Sequence, residues 1–245
     1  MSNATSNIDT IRIAEAEHFG KLAADWWNPK GSSAMLHKLN PVRLAFIRDA
    51  IDSHWSADSR SVRPLSGKRA VDVGCGAGLL CEPLARLGAE MTGVDAAAEN
   101  IAAARAHAEG SRLPITYHHG ELSSLGLSGF DLVTSMEVIE HVADKAAFIA
   151  ALSATLADDG LMILSTPNRT AASRLLLIEA AERFGMVPRG THHWEDFITP
   201  AELAILLQDA GFQVGQPMGI AFSPLKGLHL SDDMSLNYIL TARRA

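Results

Sequence analysis

The sequence predicts an α/β fold in which helices cover both faces of a doubly wound, mostly parallel sheet. From about residue 68 onward, short apolar runs alternate with helical patterns, and this alternation is typical of parallel sheets. The chain has 245 residues, of which 47% are hydrophobic and 20% charged, a balance that excludes wholesale disorder. We therefore expect one folded domain with a substantial core.

The predicted elements are short apolar runs separated by helical patterns, each ended by a residue that breaks the pattern. Strands are expected at 70–73, 91–94, 115–117, 130–135 and 161–165, and helices at 79–87, 97–108 and 146–156. Before the first strand, Asn40 and Pro41 are expected to open a helix that runs through Phe46 and Ile47.

The end of the chain departs from this alternation. Thr199 is a helix cap, Pro200 takes the first helical position and Glu202 completes a capping box. After that helix, the apolar runs 212–214 and 236–241 have no helix between them. They predict an antiparallel pair at the sheet edge.

The net charge and the number of cysteines argue against several classes of function. The formal net charge of −7 argues against nucleic acid as the main partner. Cys75 and Cys81 are too few for a disulfide scaffold and are not spaced as a zinc site. No stretch approaches the roughly 20 apolar residues that span a bilayer. Because the first residues also lack the features of a secretory signal, we expect a soluble, cytoplasmic protein.

A glycine-rich loop follows the first predicted strand. Gly74, Gly76 and Gly78 form G-x-G-x-G between a strand and a helix, where glycines let the chain turn sharply and let a ligand approach the main chain. Asp95 ends the second strand, where a carboxylate can accept hydrogen bonds from a ribose. The alternative is a tight turn that binds nothing.

Two ligand classes compete for this loop. A dinucleotide oxidoreductase has its third glycine at the position that Leu79 occupies here. Asp72 would place a carboxylate beside the ligand, which is unfavourable next to a pyrophosphate and suits an ammonium group and a sulfonium. The loop therefore favours S-adenosylmethionine over a dinucleotide.

The loop and four further blocks carry a family resemblance. Asp72 to Gly78, with Asp95, is similar to the cofactor loop of class I S-adenosylmethionine-dependent methyltransferases. That class implies a seven-stranded, mostly parallel Rossmann-like sheet with one antiparallel strand. The chain from about Phe19 to its end resembles the ubiquinone biosynthesis O-methyltransferase family, on the blocks Trp26–Gly31, Leu36–Leu44, Met136–Val142 and Met186–Leu203. Two positions depart from the family pattern, Asn28 after the two tryptophans and His193 after Gly-Thr-His.

The resemblance implies a function and a division of the chain. The function is methylation of phenolic hydroxyls on polyprenylated catechol or quinol intermediates, of the 3-demethylubiquinol and 2-polyprenyl-6-hydroxyphenol type, at two steps of ubiquinone biosynthesis. The single methyltransferase domain then comprises an N-terminal helical cover (1–67), a cofactor-binding half (68–167), an insertion (168–195) and a C-terminal part (196–245).

The same resemblance completes the cofactor site. It implies that Glu121 meets the adenine edge, that Arg43 meets the cofactor carboxylate and that Met136 lies beside the adenosine. The expected cofactor residues are therefore Arg43, Asp72, Gly74, Gly76, Gly78, Asp95, Glu121 and Met136. The alternatives are a solvated acid at Glu121, a surface ion pair at Arg43 and simple packing at Met136.

Transfer to a phenol needs a group that removes the phenolic proton. A phenol of pKa about 10 is ionised to roughly one part in a thousand at pH 7. His141 is the first candidate base, because it follows the end of a parallel strand, and His192 on the insertion is the second. A structural hydrogen bond is the alternative role for His192.

Glu137, Glu140 and His141 also form the pattern E-x-x-E-H. If that turn is helical, Glu137 and His141 share a face, and the three side chains could hold Mg²⁺ or another divalent metal. The family resemblance supports such a metal. An acid pair at a helix start, with His141 packing against the cofactor, is the open alternative.

Residues 171–187 read as a helix with an apolar stripe. Such a helix either packs on the core or makes a peripheral contact with the inner membrane, where a polyprenylated substrate resides. A ubiquinone-biosynthesis complex is a further expected partner. The competing functions are methyl transfer to another small phenol or acid, to RNA or to a protein, and a non-catalytic cofactor-binding subunit of a biosynthetic complex.

Overall fold

The computed structural model describes residues 10–31, 33–176 and 193–245. Within these residues the α-helices are α1 (Ile13–Gly20), α2 (Ala34–Trp55), α3 (Cys81–Arg86), α4 (Ala98–Gly110), α5 (Lys145–Thr155), α6 (Ala171–Ser173) and α7 (Pro200–Asp209). The strands are β1 (Arg69–Val73), β2 (Glu90–Asp95), β3 (Ile115–His119), β4 (Phe130–Met136), β5 (Leu156–Pro167), β6 (Phe212–Val214), β7 (Met218–Ser223), β8 (Gly227–Ser231) and β9 (Asn237–Arg244). Short 3-10 turns occur at Ala23–Asp25, Leu122–Ser124 and Trp194–Asp196.

All nine described strands belong to one sheet. Their order is β3-β2-β1-β4-β5-β9-β7-β8, and β6 also pairs with β9. The first five strands of this order are parallel, whereas β9 runs antiparallel to β5. The predicted doubly wound, mostly parallel fold with an antiparallel part is therefore confirmed.

The expected count of seven strands with one antiparallel strand is wrong for the described residues. β6 and β7 pair with opposite ends of β9, so they are two short pieces along one neighbour. Pro217 lies in the gap between them, and a proline has no N–H for the sheet ladder. β8 then adds a further strand through a hairpin with β7, and this hairpin takes the sheet edge that the sequence predicts for β6 and β9.

Helices cover both faces of the sheet because successive strand residues point to opposite sides. In β1, Val71 and Val73 belong to a buried cluster that includes side chains of α5 and α7. Ala70, one residue earlier, belongs to a second cluster with side chains of α2, α3 and α4. The two apolar layers fix the sheet, and with it the carboxyl ends of β1, β2 and β4.

Helix α2 begins earlier than the sequence predicts. It starts at Ala34, and Pro41 lies inside it. Asn40 does not cap the helix, because its side-chain Nδ2 donates to the carbonyl oxygen of Leu79 at 3.2 Å. An interior proline removes one helical hydrogen bond, and burial of Phe46 and Ile47 compensates for this loss.

The helix after the glycine loop is shorter than the sequence predicts. It begins at Cys81 and has only six residues. By contrast, the capping box at Thr199 and Glu202 is confirmed, with reciprocal side-chain to backbone hydrogen bonds.

Among the described residues, no helix combines the length and the apolar character needed to cross a bilayer.

Candidate functional site

A cavity of about 1050 Å³ lies at the carboxyl ends of the parallel strands. Its wall includes the start of the glycine loop, the ends of β2 and β4, and the turn that carries His141, while the N-terminal segment from Thr10 to Trp26 contributes another side. Most predicted site residues meet here: Arg43, Asp72, Gly74, Asp95, Glu121, Met136, Glu137 and His141. Gly76, Gly78 and Glu140 do not line the cavity.

The glycine loop is packed against the protein's own side chains. Gly74 and Gly76 both have positive φ, at 77° and 52°. A Cβ atom at Gly74 would lie 2.2 Å from Val138, and one at Gly76 would lie 2.2 Å from the ring of Trp26. The N-terminal cover therefore rests directly on the loop, a contact that explains these glycines even without a ligand. Gly78 has positive φ as well, at 85°.

Asp95 fastens the glycine loop to β2. Its Oδ2 accepts a hydrogen bond from the Gly76 amide at 2.8 Å. Its Oδ1 accepts from the Ala97 amide at 2.9 Å and from the Asn100 side chain at 3.0 Å. Burial raises the pKa of the Asp95 carboxyl, although these three donors oppose that effect. Asn100 was not predicted, since only its place in the first turn of α4 could have indicated it.

Asp72 is tied to the neighbouring strand. Its Oδ1 accepts a hydrogen bond from Thr134 Oγ1 at 2.7 Å, and the residue is buried. Burial raises the pKa of Asp72 to about 6, while the Thr134 and Cys81 hydrogen bonds and the charge of Arg43 lower it. Its carboxyl therefore meets the cavity as part of a buried network.

Arg43 forms a buried ion pair rather than the surface pair considered above. Its Nη2 lies 2.9 Å from Glu137 Oε1, and its side chain is almost completely buried. Glu137 adopts the left-handed conformation, with φ of 57°, which is uncommon for a residue with a side chain. Its carboxylate also accepts hydrogen bonds from Ser165 and Asn237, both at 2.7 Å. Side chains of β5 and β9 thereby hold the carboxylate that pairs with the Arg43 guanidinium at the cavity wall.

His141 lies between two carboxyl groups. Its Nδ1 is 3.2 Å from Glu15 Oε2 on α1, and its Nε2 is 3.8 Å from Glu140 Oε1. Burial lowers the pKa of His141, but the Glu15 hydrogen bond and the nearby charges outweigh this, so that the pKa is raised overall. Phe19, also on α1, packs edge-on against the imidazole. No sequence pattern indicates Glu15, because it precedes His141 by more than a hundred residues.

Glu137, Glu140 and His141 do not converge as a metal site. The turn that carries them is not helical, and Glu137 is directed to Arg43. Glu140 is buried and its Oε2 accepts a hydrogen bond from Thr166 at 2.9 Å. Burial also raises the pKa of Glu140. Across the described part of the chain, no three His, Cys, Asp or Glu side chains are placed to hold a metal ion.

Glu121 and Met136, the residues expected to contact the adenosine, both line the cavity. Glu121 Oε1 accepts a hydrogen bond from Thr10 Oγ1 at 2.7 Å. Its Oε2 is buried and has no hydrogen-bond partner among the described residues. Such an acceptor fits an exocyclic amine, which supports the role that the resemblance assigns to Glu121. Met136 ends β4 and packs on the α2 side of the sheet.

Two predictions fall largely or wholly outside the described residues. His192 is not described, so its candidacy as a base stays a prediction. Of the segment 171–187, only residues 171–176 are described. The membrane contact predicted for this segment therefore also stays a prediction.

Comparison with known proteins decides the family. A family model described as a methyltransferase domain matches residues 45–216. A ubiquinone biosynthesis O-methyltransferase from Azorhizobium caulinodans is 45% identical over 240 residues, which cover 96% of this chain and 95% of the relative. One from Rhodopseudomonas palustris is 45% identical over 246 residues, covering 99% and 96%. The chain belongs to the ubiquinone biosynthesis O-methyltransferase family. It is an S-adenosylmethionine-dependent O-methyltransferase, as the sequence predicts.

Solved structures of other methyltransferases have the same fold as this O-methyltransferase. The magnesium protoporphyrin IX methyltransferase from Synechocystis with bound SAH has a TM-score of 0.66 and 24% identity, and the match covers 95% of this chain and 99% of that one. A SAM-dependent methyltransferase from Aquifex aeolicus has a TM-score of 0.60 and 13% identity, with 93% and 97% covered. At these identities the likeness concerns the architecture alone.

Proposed function

We propose that this O-methyltransferase methylates phenolic hydroxyls of polyprenylated catechol or quinol intermediates at two steps of ubiquinone biosynthesis. The relatives at 45% identity, which share its full length, support this acceptor class. The observation that carries the proposal is one cavity that joins Asp95, Arg43 and Glu121 to His141. Cofactor-binding groups and a candidate base thus face the same space.

The described residues offer the cofactor complementary groups. Asp95 keeps acceptor capacity for the ribose hydroxyls, since a carboxylate has about four lone-pair sites and three are used. Arg43 Nε is buried without a hydrogen-bond partner among the described residues, so its guanidinium suits the carboxylate of the methionine moiety. Glu121 Oε2 suits the adenine amine. When bound, S-adenosylmethionine supplies a methyl group on a sulfonium, an electrophile that needs no further activation.

His141 is the proposed base. Its Nδ1 lies 3.2 Å from Glu15 Oε2, and because the residue also lines the cavity, we assign the phenolic proton to its imidazole. The two flanking carboxyl groups stabilise the imidazolium that results, because they raise the pKa of His141. A base that ionises the phenol at pH 7 lowers the activation free energy by up to about 4 kcal/mol. Alignment of the reacting oxygen with the methyl group supplies much of the remaining decrease.

The proposal assigns no step to a metal. The family resemblance implies Mg²⁺ or another divalent ion at Glu137, Glu140 and His141, but the arrangement of these side chains does not fit an ion held by all three. Glu137 has a different task in this structure, since its carboxylate neutralises and orients Arg43. Peripheral membrane contact through 171–187 and association with a biosynthetic complex are further proposals, which rest on the apolar acceptor alone.

Transfer of a labelled methyl group tests the proposal. The purified enzyme is mixed with methyl-labelled S-adenosylmethionine and a catechol acceptor, with and without an isoprenoid side chain. We expect label on the phenolic oxygen. A protein that binds the cofactor but labels neither acceptor would instead be a non-catalytic subunit, and the proposal would be rejected.

A further inference from the structure

The cavity extends well beyond the proposed cofactor residues. Asp95 ends β2 and the glycine loop follows β1, whereas Ile220 and Leu228 on the same cavity wall belong to β7 and β8. In the sheet, β1 and β7 are four strand positions apart. At about 4.8 Å per position this is a separation of about 19 Å. The cavity therefore has a cofactor end over β2, β1 and β4 and a distal end beneath the β7–β8 hairpin.

The hairpin overhangs the site because of its register. β7 pairs with β9 only at Met218 and Gly219, and its later residues pair with β8 alone. β9 begins at Asn237 opposite Pro167, the last residue of β5. Since β7 continues past this point, the hairpin projects beyond the carboxyl ends of the parallel strands, on the side where the cavity lies.

The distal end is lined by apolar side chains from three parts of the chain. These are Leu39 on α2, Ile220, Phe222 and Leu228 on the hairpin, and Leu176 after α6. Lys38 and Asn237 are polar neighbours on the same wall. Ile220 is buried, whereas Phe222 and Leu176 are 65% and 47% exposed. The lining thus runs from the interior to an apolar rim at the surface.

Resting on the proposed function, we propose that this distal end binds the first isoprene units of the acceptor's tail, with Phe222 on the rim where the tail leaves the protein. The predicted cofactor contacts at the other end are charged or polar, whereas the lining beneath the hairpin is mostly apolar and complements an aliphatic tail attached to the ring. Burying as few as two methylene groups is worth about tenfold in affinity. Phe222 is then a specificity-determining residue that selects tailed over tailless phenols.

The test compares two acceptors, a catechol that carries two isoprene units and the same catechol without a tail, in solution without lipid. The quantity measured is the ratio of kcat/KM for the tailed acceptor to that for the tailless one. Phe222→Asp is the test variant. Leu225→Asp is the matched control, since Leu225 is on the same hairpin, is 98% exposed and does not line the cavity.

We expect Phe222→Asp to lower this ratio at least about tenfold and Leu225→Asp to leave it unchanged. An unchanged ratio in Phe222→Asp would overturn the tail site. An equal fall in both variants would also overturn it, because the effect would then belong to the hairpin surface. If the unmodified enzyme methylates neither acceptor, the proposed function itself fails and this inference with it.

Discussion

Arg43 and Glu137 form a buried ion pair at the cavity wall, with 2.9 Å between Nη2 and Oε1. The pair joins helix α2 of the N-terminal cover to the residue that follows β4. Glu137 adopts a left-handed backbone conformation to make it, and such conformations persist only where the surroundings compensate for their cost. The guanidinium is therefore held in place before any ligand arrives.

Removal of Glu137 should destabilise the fold. Glu137→Ala leaves the Arg43 charge buried without compensation, and we expect the free energy of unfolding in urea to fall by about 3–5 kcal/mol. The double variant with Arg43→Met removes the orphaned charge as well, so it should lose less than Glu137→Ala alone. A loss below about 1 kcal/mol in the single variant would show that the pair is not buried in solution.

The contacts of Glu137 also predict how Mg²⁺ affects the thermal stability of the protein. A ligand that binds the native state alone raises its stability by mass action. Because Glu137 is engaged with Arg43, Ser165 and Asn237, we expect no measurable change in Tm when Mg²⁺ is added to the protein without acceptor. A concentration-dependent rise that disappears in Glu140→Gln would establish a metal site and contradict this arrangement.

Asp95 should be necessary for cofactor affinity. Asp95→Ala removes the ribose acceptor and also the hydrogen bond that holds the Gly76 amide. Hydrogen bonds to charged groups contribute about 1.5–3 kcal/mol each, so we expect S-adenosylhomocysteine to bind at least about tenfold more weakly in calorimetry. Asp209→Ala, at the exposed end of α7, is the control and should bind normally. Equal affinities in the two variants would remove Asp95 from the site.

Substitution of Gly76 should destabilise the fold, because Trp26 of the N-terminal cover packs on this residue. A methyl group at Gly76 has both the strain of a positive φ and a clash with Trp26. Gly126 has positive φ too, at 62°, but no atom lies near its Cβ position. We expect Gly126→Ala to lower the free energy of unfolding by about 1–2 kcal/mol and Gly76→Ala to lower it by clearly more. Similar losses, measured by urea unfolding, would mean that Trp26 does not cover the loop.

The dependence of activity on pH should report the pair formed by His141 and Glu15. His141→Ala is expected to lower kcat at least about 10²-fold. In the unmodified enzyme, kcat rises with pH as His141 loses its proton, through a pKa that Glu15 and Glu140 hold above the usual range. Glu15→Gln removes one of these stabilising groups, so the rise should move to lower pH.

Glu17→Gln is the control for this profile, because Glu17 lies exposed on the same helix. It should leave the profile unchanged. A loss below tenfold in His141→Ala would remove His141 from the proposed mechanism. An unmoved profile in Glu15→Gln would show that Glu15 does not act on the imidazole.

Local patterns in the sequence predicted most elements well. The capping box at Thr199 and Glu202 spans four residues, and its geometry depends on little beyond them. The glycine loop and Asp95 were likewise placed correctly at the ends of β1 and β2, because strand ends in a parallel sheet meet at one edge. The predicted start of α2 is wrong, since Leu36 and Leu39 pack against buried clusters and the helix extends ahead of Pro41.

By itself, the sequence determined the fold class and the methyltransferase family, and it indicated candidate site residues such as Asp95 at the strand ends, because each depends on the spacing of residues that are close along the chain. Only the tertiary structure decided that Glu15 meets His141, that Glu137 meets Arg43 and that the β7–β8 hairpin overhangs the cavity. These contacts join residues far apart in sequence. They depend on how whole elements pack and on the left-handed backbone at Glu137, which no local pattern encodes.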